Sequence, residues 1–269
     1  MDDLKEYENY MKRRELAPGT IRNNLYCLCQ YFRRFKVMNF TNLVQYKEEM
    51  MQKYKPKTVN SKIAACMGYC RFKGYDFRVK QLCIQRKTHL ENVISEQQWE
   101  RLITGLIRDN DVRGLVNLLV IARTGARISE AVRITKADIR RGFVEMKTKN
   151  KVRRIIIPDS LSRDLEKYLA NLPDNAPVMR SINGNGREPM QARCYQYELK
   201  RYAERYGIPK ECMHPHGFRH FFAVKFMKNN GNITLLAEIL GHSNINTTMI
   251  YTQLSAEQQR EEISRAVDW

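Results

Sequence analysis

The chain has no run of apolar residues near the roughly 18 needed to cross a bilayer. The longest run, around Leu115–Ala122, is broken by Asn117. A membrane anchor is therefore not expected. The first residues, Met1-Asp2-Asp3-Leu4, are acidic and carry no apolar signal core. Together these absences predict a soluble, cytoplasmic protein. A Gly-x-x-x-x-Gly-Lys-Ser/Thr phosphate loop is also missing, so nucleotide hydrolysis is not signalled. No Cys-x-x-Cys pair exists, and the seven cysteines are an odd number in a chain too long to need disulfide staples. Cys27 and Cys29 should point to different helix faces, and Cys66 and Cys70 to one face. They read as core thiols, with no metal and no cofactor implied. Internal repeats and low-complexity tracts are absent too.

Acidic charge is the other scarcity. Asp and Glu number 29 against 47 Lys and Arg, a net charge of +18 over 269 residues. Residues 1–90 hold 19 basic and 8 acidic residues, and the remainder 28 and 21. A charge this large and this spread points to nucleic acid, whose condensed counterions it displaces. A membrane-surface protein would concentrate it in a tail or an amphipathic anchor. The apolar share, 43%, is enough for real cores.

The first 84 residues read as a small basic helical bundle. Pro18-Gly19-Thr20 marks a helix start, followed by Ile21, Leu25, Leu28, Phe32 and Phe35 at helical spacing. After Pro56, Thr58 is a candidate cap for a helix with Val59, Ile63, Met67 and Cys70 along one stripe. Arg22, Arg33, Arg34, Lys62, Arg71 and Lys73 are candidate phosphate contacts on these helices, although solvated surface cations would look the same. Residues 85–94 show no period and read as a linker, with Arg86 and Lys87 as further candidates. Ser95 with Gln98 forms a capping-box signature that opens a second domain, 95–269. A buried-looking helix within Arg108–Arg123 stops at Thr124-Gly125-Ala126-Arg127, and another starts at Ser129-Glu130. Residues 142–158 read as a β-hairpin with Lys147, Lys149 and Lys151 around its tip and Asn150 in the turn. Residues 181–189 read as a loop. The expected class is mainly α with a small β-sheet (α+β).

The histidines are unevenly placed. His214, His216, His220 and His242 fall within 29 residues, and only His89 lies elsewhere. The window reads His214-Pro215-His216-Gly217-Phe218-Arg219-His220, then Leu240-Gly241-His242, then Tyr251 nine residues later. Upstream stands Thr124-Gly125-Ala126-Arg127-Ile128-Ser129-Glu130. In these motifs the chain resembles the tyrosine recombinase, or phage integrase, family. They match its T-G-x-R-x-S-E turn, hairpin lysine, H-x-x-R, L-G-H and terminal tyrosine. Any one element is weak, because the chain has 14 tyrosines. Five in the right order and spacing are specific.

The resemblance implies a helical core-binding domain over 1–84 and a catalytic domain over 95–269, on the plan of the compact Xer-like members. It implies site-specific recombination of double-stranded DNA without ATP or metal, by a homotetramer on paired sites, with accessory DNA-bending proteins possible. No additional arm-binding domain is expected at this length. Tyr251 would be the nucleophile that forms a 3′-phosphotyrosine and conserves the bond energy for rejoining. Arg127 and Arg219 would donate to the non-bridging oxygens, where the transition state gathers charge. His216 would act in proton transfer near the nucleophile, and His242 would donate to the scissile phosphate. Glu130 would orient the pocket, although an acid in a first helical turn is also a good dipole partner. A hairpin lysine would protonate the leaving 5′ oxygen. Lys149 fits best, 22 residues after Arg127; Lys147 is the alternate and Lys151 the third. His220 reads as a packed structural histidine and His214 as a loop residue.

Two other functions stay open on the sequence. Type IB topoisomerases share this chemistry without exchanging strands. A non-catalytic DNA-binding protein would suit Leu235–Tyr251 as a helix-turn-helix with Gly241 at its turn. The tail from Leu254 to Trp269 reads as a terminal helix, with Ile263, Val267 and Trp269 apolar. In the resembled family such a helix packs into a neighbouring protomer.

Overall fold

The structure is a computed structural model. It describes residues 2–84, 92–148, 151–181, 188–242 and 244–252, with residues 264 and 267. The chain divides into two compact units, residues 1–86 and 87–269. Each has its own hydrophobic core.

The first unit packs four helices: α1 (Asp2–Arg13), α2 (Pro18–Arg34), α3 (Phe40–Lys53) and α4 (Pro56–Lys73). Pro18 and Pro56 open their helices, where a missing N–H costs nothing. Thr58 therefore lies inside the first turn of α4, and Lys55 occupies the N-cap position. Leu28, Tyr31, Leu43, Val59, Ile63, Cys66 and Cys70 are fully buried. Tyr31 meets Tyr46 edge-on, with ring centroids 5.1 Å apart. After α4 the chain runs extended to residue 84 and is clasped by Asn60. The Leu82 N–H donates to Asn60 Oδ1 at 2.7 Å, and Asn60 Nδ2 donates back to the Leu82 carbonyl at 2.9 Å.

The second unit contains α5 (Glu96–Arg108), α6 (Val112–Thr124), the short α7 (Ile128–Ala131) and α8 (Lys136–Arg141). These precede a hairpin of β1 (Phe143–Thr148) and β2 (Lys151–Ile156). Then come α9 (Asp159–Leu169), α10 (Ala192–Tyr206), α11 (Pro215–Asn230) and α12 (Ile233–Leu240). Ser95 and Gln98 cap α5 reciprocally, as their spacing predicts. Ile94, read from sequence as the end of a linker, is buried in this unit's core. The interior is organised on α6, whose residues from Gly114 to Ala122 are all buried. Helix α11 packs against α6, and β1 pairs antiparallel with β2 from Phe143↔Ile156 to Thr148↔Lys151. The fold is mainly helical with this one small sheet.

Beyond α12 the helix-turn-helix expectation fails. Gly241 ends α12 in the left-handed region (φ 62°), and two short 3₁₀ turns follow, Ile245–Thr247 and Met249–Tyr251, instead of a recognition helix. Among the described residues no helix is long and apolar enough to cross a membrane.

Candidate active site

Arg219 anchors the site. It lies on the buried face of α11 and is 1% exposed. A guanidinium this deep needs acceptors. Nη1 donates to the Gly125 carbonyl at 2.7 Å, and Nη2 to the Leu240 carbonyl at 2.5 Å. Both carbonyls come from helix ends, whose last carbonyls lack intrahelical partners. Gly125 closes α6 at φ 60°, and a Cβ there would meet the Phe222 ring at 2.5 Å. Glycine is thus required on conformational and on steric grounds. Burial lowers the Arg219 guanidinium to about 10, helped by the Arg127 and Arg153 charges, so it stays a cation at neutral pH.

His242 follows Gly241. Its Nε2 lies 3.2 Å from Arg219 Nη2, and its Nδ1 2.8 Å from Thr248 Oγ1. Arginine only donates, so Nε2 accepts and Nδ1 carries the hydrogen that reaches Thr248. Burial, then the charges of Arg219, Arg127 and Arg153, hold this imidazole at about 4. Thr248 is fully buried, and its carbonyl accepts the Tyr251 N–H at 3.0 Å. Tyr251 is 9% exposed and packs with Ala223, Leu236 and Leu240. Its hydroxyl is 2.6 Å from His220 Nδ1. Burial raises the phenol to about 12 against the opposing pull of Arg219. A chain of contacts thus runs from Arg219 through His242, Thr248 and Tyr251 to His220, the residue that follows Arg219.

Arg127 sits at the mouth, with its side chain 45% exposed. The Glu130 carboxylate accepts the Arg127 backbone N–H at 2.8 Å and the Arg127 side chain at 3.2 Å. It also accepts Arg153 Nη1 on both oxygens, at 2.6 and 2.8 Å. Burial pushes this carboxyl up, but the Arg127 N–H and the Arg153 and Arg127 charges outweigh burial and hold it below the ordinary value. Arg153 reaches on from β2 to the Ile239 carbonyl at 2.6 Å. Its stem lies against Gly241, where a Cβ would approach within 2.7 Å.

The structure brings Arg127, Glu130, Arg219, His242 and Tyr251 near one another: the charges of Arg127, Glu130 and Tyr251 all act on Arg219, which His242 touches. His216 is exposed on α11, its ring centroid 4.3 Å from that of His220. His214 caps α11 by accepting the Gly217 N–H on Nδ1 at 2.9 Å, so it does more than line a loop. His220 is not merely packed, because it touches the tyrosine hydroxyl. Arg153 and Thr248 were missed by sequence reasoning. The i, i+4 relation of His216 and His220 was an available signal, whereas neither Arg153 nor Thr248 has one outside the fold. Lys149 lies outside the described residues. Lys147 and Lys151 pair with Val152 and Thr148 in the hairpin backbone.

In the first unit Arg22, Arg33 and Arg71 are exposed. Arg34 is held by Glu49 at 2.9 Å and Lys73 by Asp3 at 2.7 Å. Lys62 is not a surface cation. It is 4% exposed, bonded to Gln30, with its ammonium 4.9 Å from the Tyr54 ring centre. Position 62 lies three residues after Val59 and four before Cys66, on the buried side of α4. Arg86, Lys87 and the terminal segment from Leu254 through Ile263 to Trp269 lie outside the described residues, apart from residues 264 and 267.

Residues 92–258 match the Phage integrase family, more than half the chain. The chain belongs to this family. It is a Xer-like tyrosine recombinase. It is 27% identical over 271 residues to tyrosine recombinase XerA of Thermococcus onnurineus (strain NA1), covering 98% of this chain and 94% of that one. By structure it resembles a crystal structure of XerA recombinase, with a TM-score of 0.55 at 22% identity, covering 100% of this chain and 99% of that one. It also resembles the Tn1549 transposon integrase in complex with circular intermediate DNA, with a TM-score of 0.74 at 18% identity, covering 98% and 99%.

Proposed function

We propose that this recombinase cuts and rejoins double-stranded DNA at specific sites through a covalent link between Tyr251 and a DNA 3′ phosphate. The observation that carries the reading is the buried Arg219 guanidinium, fixed by two helix-end carbonyls and joined through His242 and Thr248 to the turn that carries Tyr251. Such an array holds its charge in place before substrate arrives, so little reorganisation is needed as the transition state forms. Arg127 and Arg219 neutralise the non-bridging oxygens, which is why no metal or ATP is required in this scheme. Glu130 orients Arg127. The 5′ oxygen leaves with a proton from a hairpin lysine, Lys149 before Lys147, and later attacks the phosphotyrosine to rejoin a strand.

His242 has a further part. Its Nε2 accepts from Arg219, so to donate to a phosphate oxygen it must gain a hydrogen, by protonation of the ring or by a tautomer shift in which Thr248 Oγ1 donates to Nδ1. A bound phosphodiester supplies the negative charge that favours that proton. The first unit grips flanking phosphates through Arg22, Arg33 and Arg71. Four copies on paired sites complete the exchange.

The test is a nicked duplex bearing the protein's own footprinted site. Wild type is expected to become covalently attached, equally with and without a chelator, and Tyr251→Phe is not. Two such sites on separate duplexes are then expected to exchange ends. Supercoil relaxation without exchange would indicate a type IB topoisomerase, and binding without any adduct a non-catalytic protein.

A further inference from the structure

His220 follows Arg219 on α11 and shares a helix face with His216. Tyr251 reaches it from the last 3₁₀ turn, with the phenol oxygen 2.6 Å from Nδ1. A buried phenol keeps its proton at neutral pH and donates it, so Nδ1 accepts and Nε2 carries the ring hydrogen. The histidine bonded to the attacking atom is therefore not the one in the H-x-x-R motif but the one after its arginine. We propose that His220 accepts the Tyr251 proton during strand cleavage and returns it during strand joining. This rests on the reading of Tyr251 as nucleophile.

The Tyr251 oxygen forms a bond to phosphorus while its proton passes to His220 Nδ1. The bond from phosphorus to the 5′ oxygen breaks, and its electron pair leaves with that oxygen, which takes a proton from the hairpin lysine. In joining, the 5′ hydroxyl returns that proton to the lysine and bonds to phosphorus. The departing phenolate recovers its own proton from the His220 imidazolium.

The resting site suppresses the transfer. Burial, then His216 and His214 from the same helix, Arg219 beside it and His242 from the turn after α12, all oppose a proton on His220 and hold it at about 4. The facing Tyr251 sits at about 12. The pair therefore stays neutral until an anion arrives. A phosphodiester against Arg127 and Arg219 offsets those cations, and the phosphorus takes up the charge of the forming phenolate. The nucleophile is released by its own substrate, which protects the buried tyrosine from reacting elsewhere.

Single-turnover adduct formation on the nicked duplex tests this with His220→Asn and His220→Ala. Asparagine offers an oxygen near the Nδ1 position but takes no proton, so both variants should slow by about 100-fold or more while still shifting the duplex on a gel. Placing 3,5-difluorotyrosine at 251 lowers the phenol pKa and should recover most of the loss in His220→Asn while changing wild type little. A sulfur in place of the 5′-bridging oxygen should not rescue it, because the defect lies on the nucleophile's side. Near-wild-type cleavage by His220→Asn, equal gains from fluorination in both backgrounds, or rescue by sulfur would each overturn the proposal. An adduct formed by Tyr251→Phe would instead overturn the reading of the nucleophile, and His220's role with it.

Discussion

Half-buried imidazoles make this site sensitive to acid. His220 and His242 sit at about 4, against about 6.5 in an unfolded chain, and His214 is lowered too, by burial. Between those values the unfolded chain binds protons that the folded chain refuses. Their contribution is thus fully present above about pH 6.5 and is lost as pH falls toward 4. Partial exposure screens each ring, which leaves about 1 kcal/mol apiece. Glu130, whose pKa is also lowered, adds its own loss only below about 4.5, so pH 7 to 5 isolates the histidines. The expected outcome is a melting temperature that drops by several degrees across that window in wild type and by visibly less in His242→Gln. Arg219 and His242 were legible because spacing along the chain identifies them. For His220 the sequence offered only its i, i+4 relation to His216, since the Tyr251 hydroxyl it touches comes from 31 residues away. Lys62 was misjudged because charge was weighed ahead of register: its place between Val59 and Cys66 on α4 already marked a buried side.

At the scale of elements, one arginine ties three of them. Arg153 on β2 holds Glu130 of α7 with both carboxylate oxygens and the last turn of α12 through Ile239. The hairpin that presents the candidate lysines is thereby fixed relative to Arg127. The two strands of the hairpin and the cap at Ser95 were readable from alternation and capping chemistry. The strap was not, because a second arginine, Arg154, follows it and only the pleat decides which points inward. Arg154 instead pairs with Glu145 on the exposed side. Removing Arg153 leaves the half-buried Glu130 carboxylate only its Arg127 partners, so Arg153→Met should cost about 1–2 kcal/mol in urea unfolding. The double variant Arg153→Met, Glu130→Gln should lose less than the sum of the two single losses, because the carboxylate that Arg153 neutralised is gone. Additive losses would show that the two side chains act independently.

For the whole molecule, the net charge of +18 divides into different kinds of cation. Arg219 is buried and Arg153 half-buried beside Glu130, and Lys62 lies under Tyr54. Arg34 and Lys73 are already paired with carboxylates. Arg22 and Arg33 are exposed on α2 and are the better candidates for phosphate contact. A direct phosphate contact releases about 0.9 counterion, so each one lost should flatten the plot of log binding constant against log salt by about one unit. Arg22→Ala and Arg33→Ala should each do so in full-length protein titrated with a labelled duplex between about 50 and 200 mM salt, and the loss should be similar on any sequence. Lys62→Ala should leave the slope unchanged and instead lower the melting temperature of the first unit, because it removes a buried bond to Gln30 and contact with the Tyr54 ring. An unchanged slope in both arginine variants would move the DNA-facing side of the first unit away from α2 and toward Arg71 on α4.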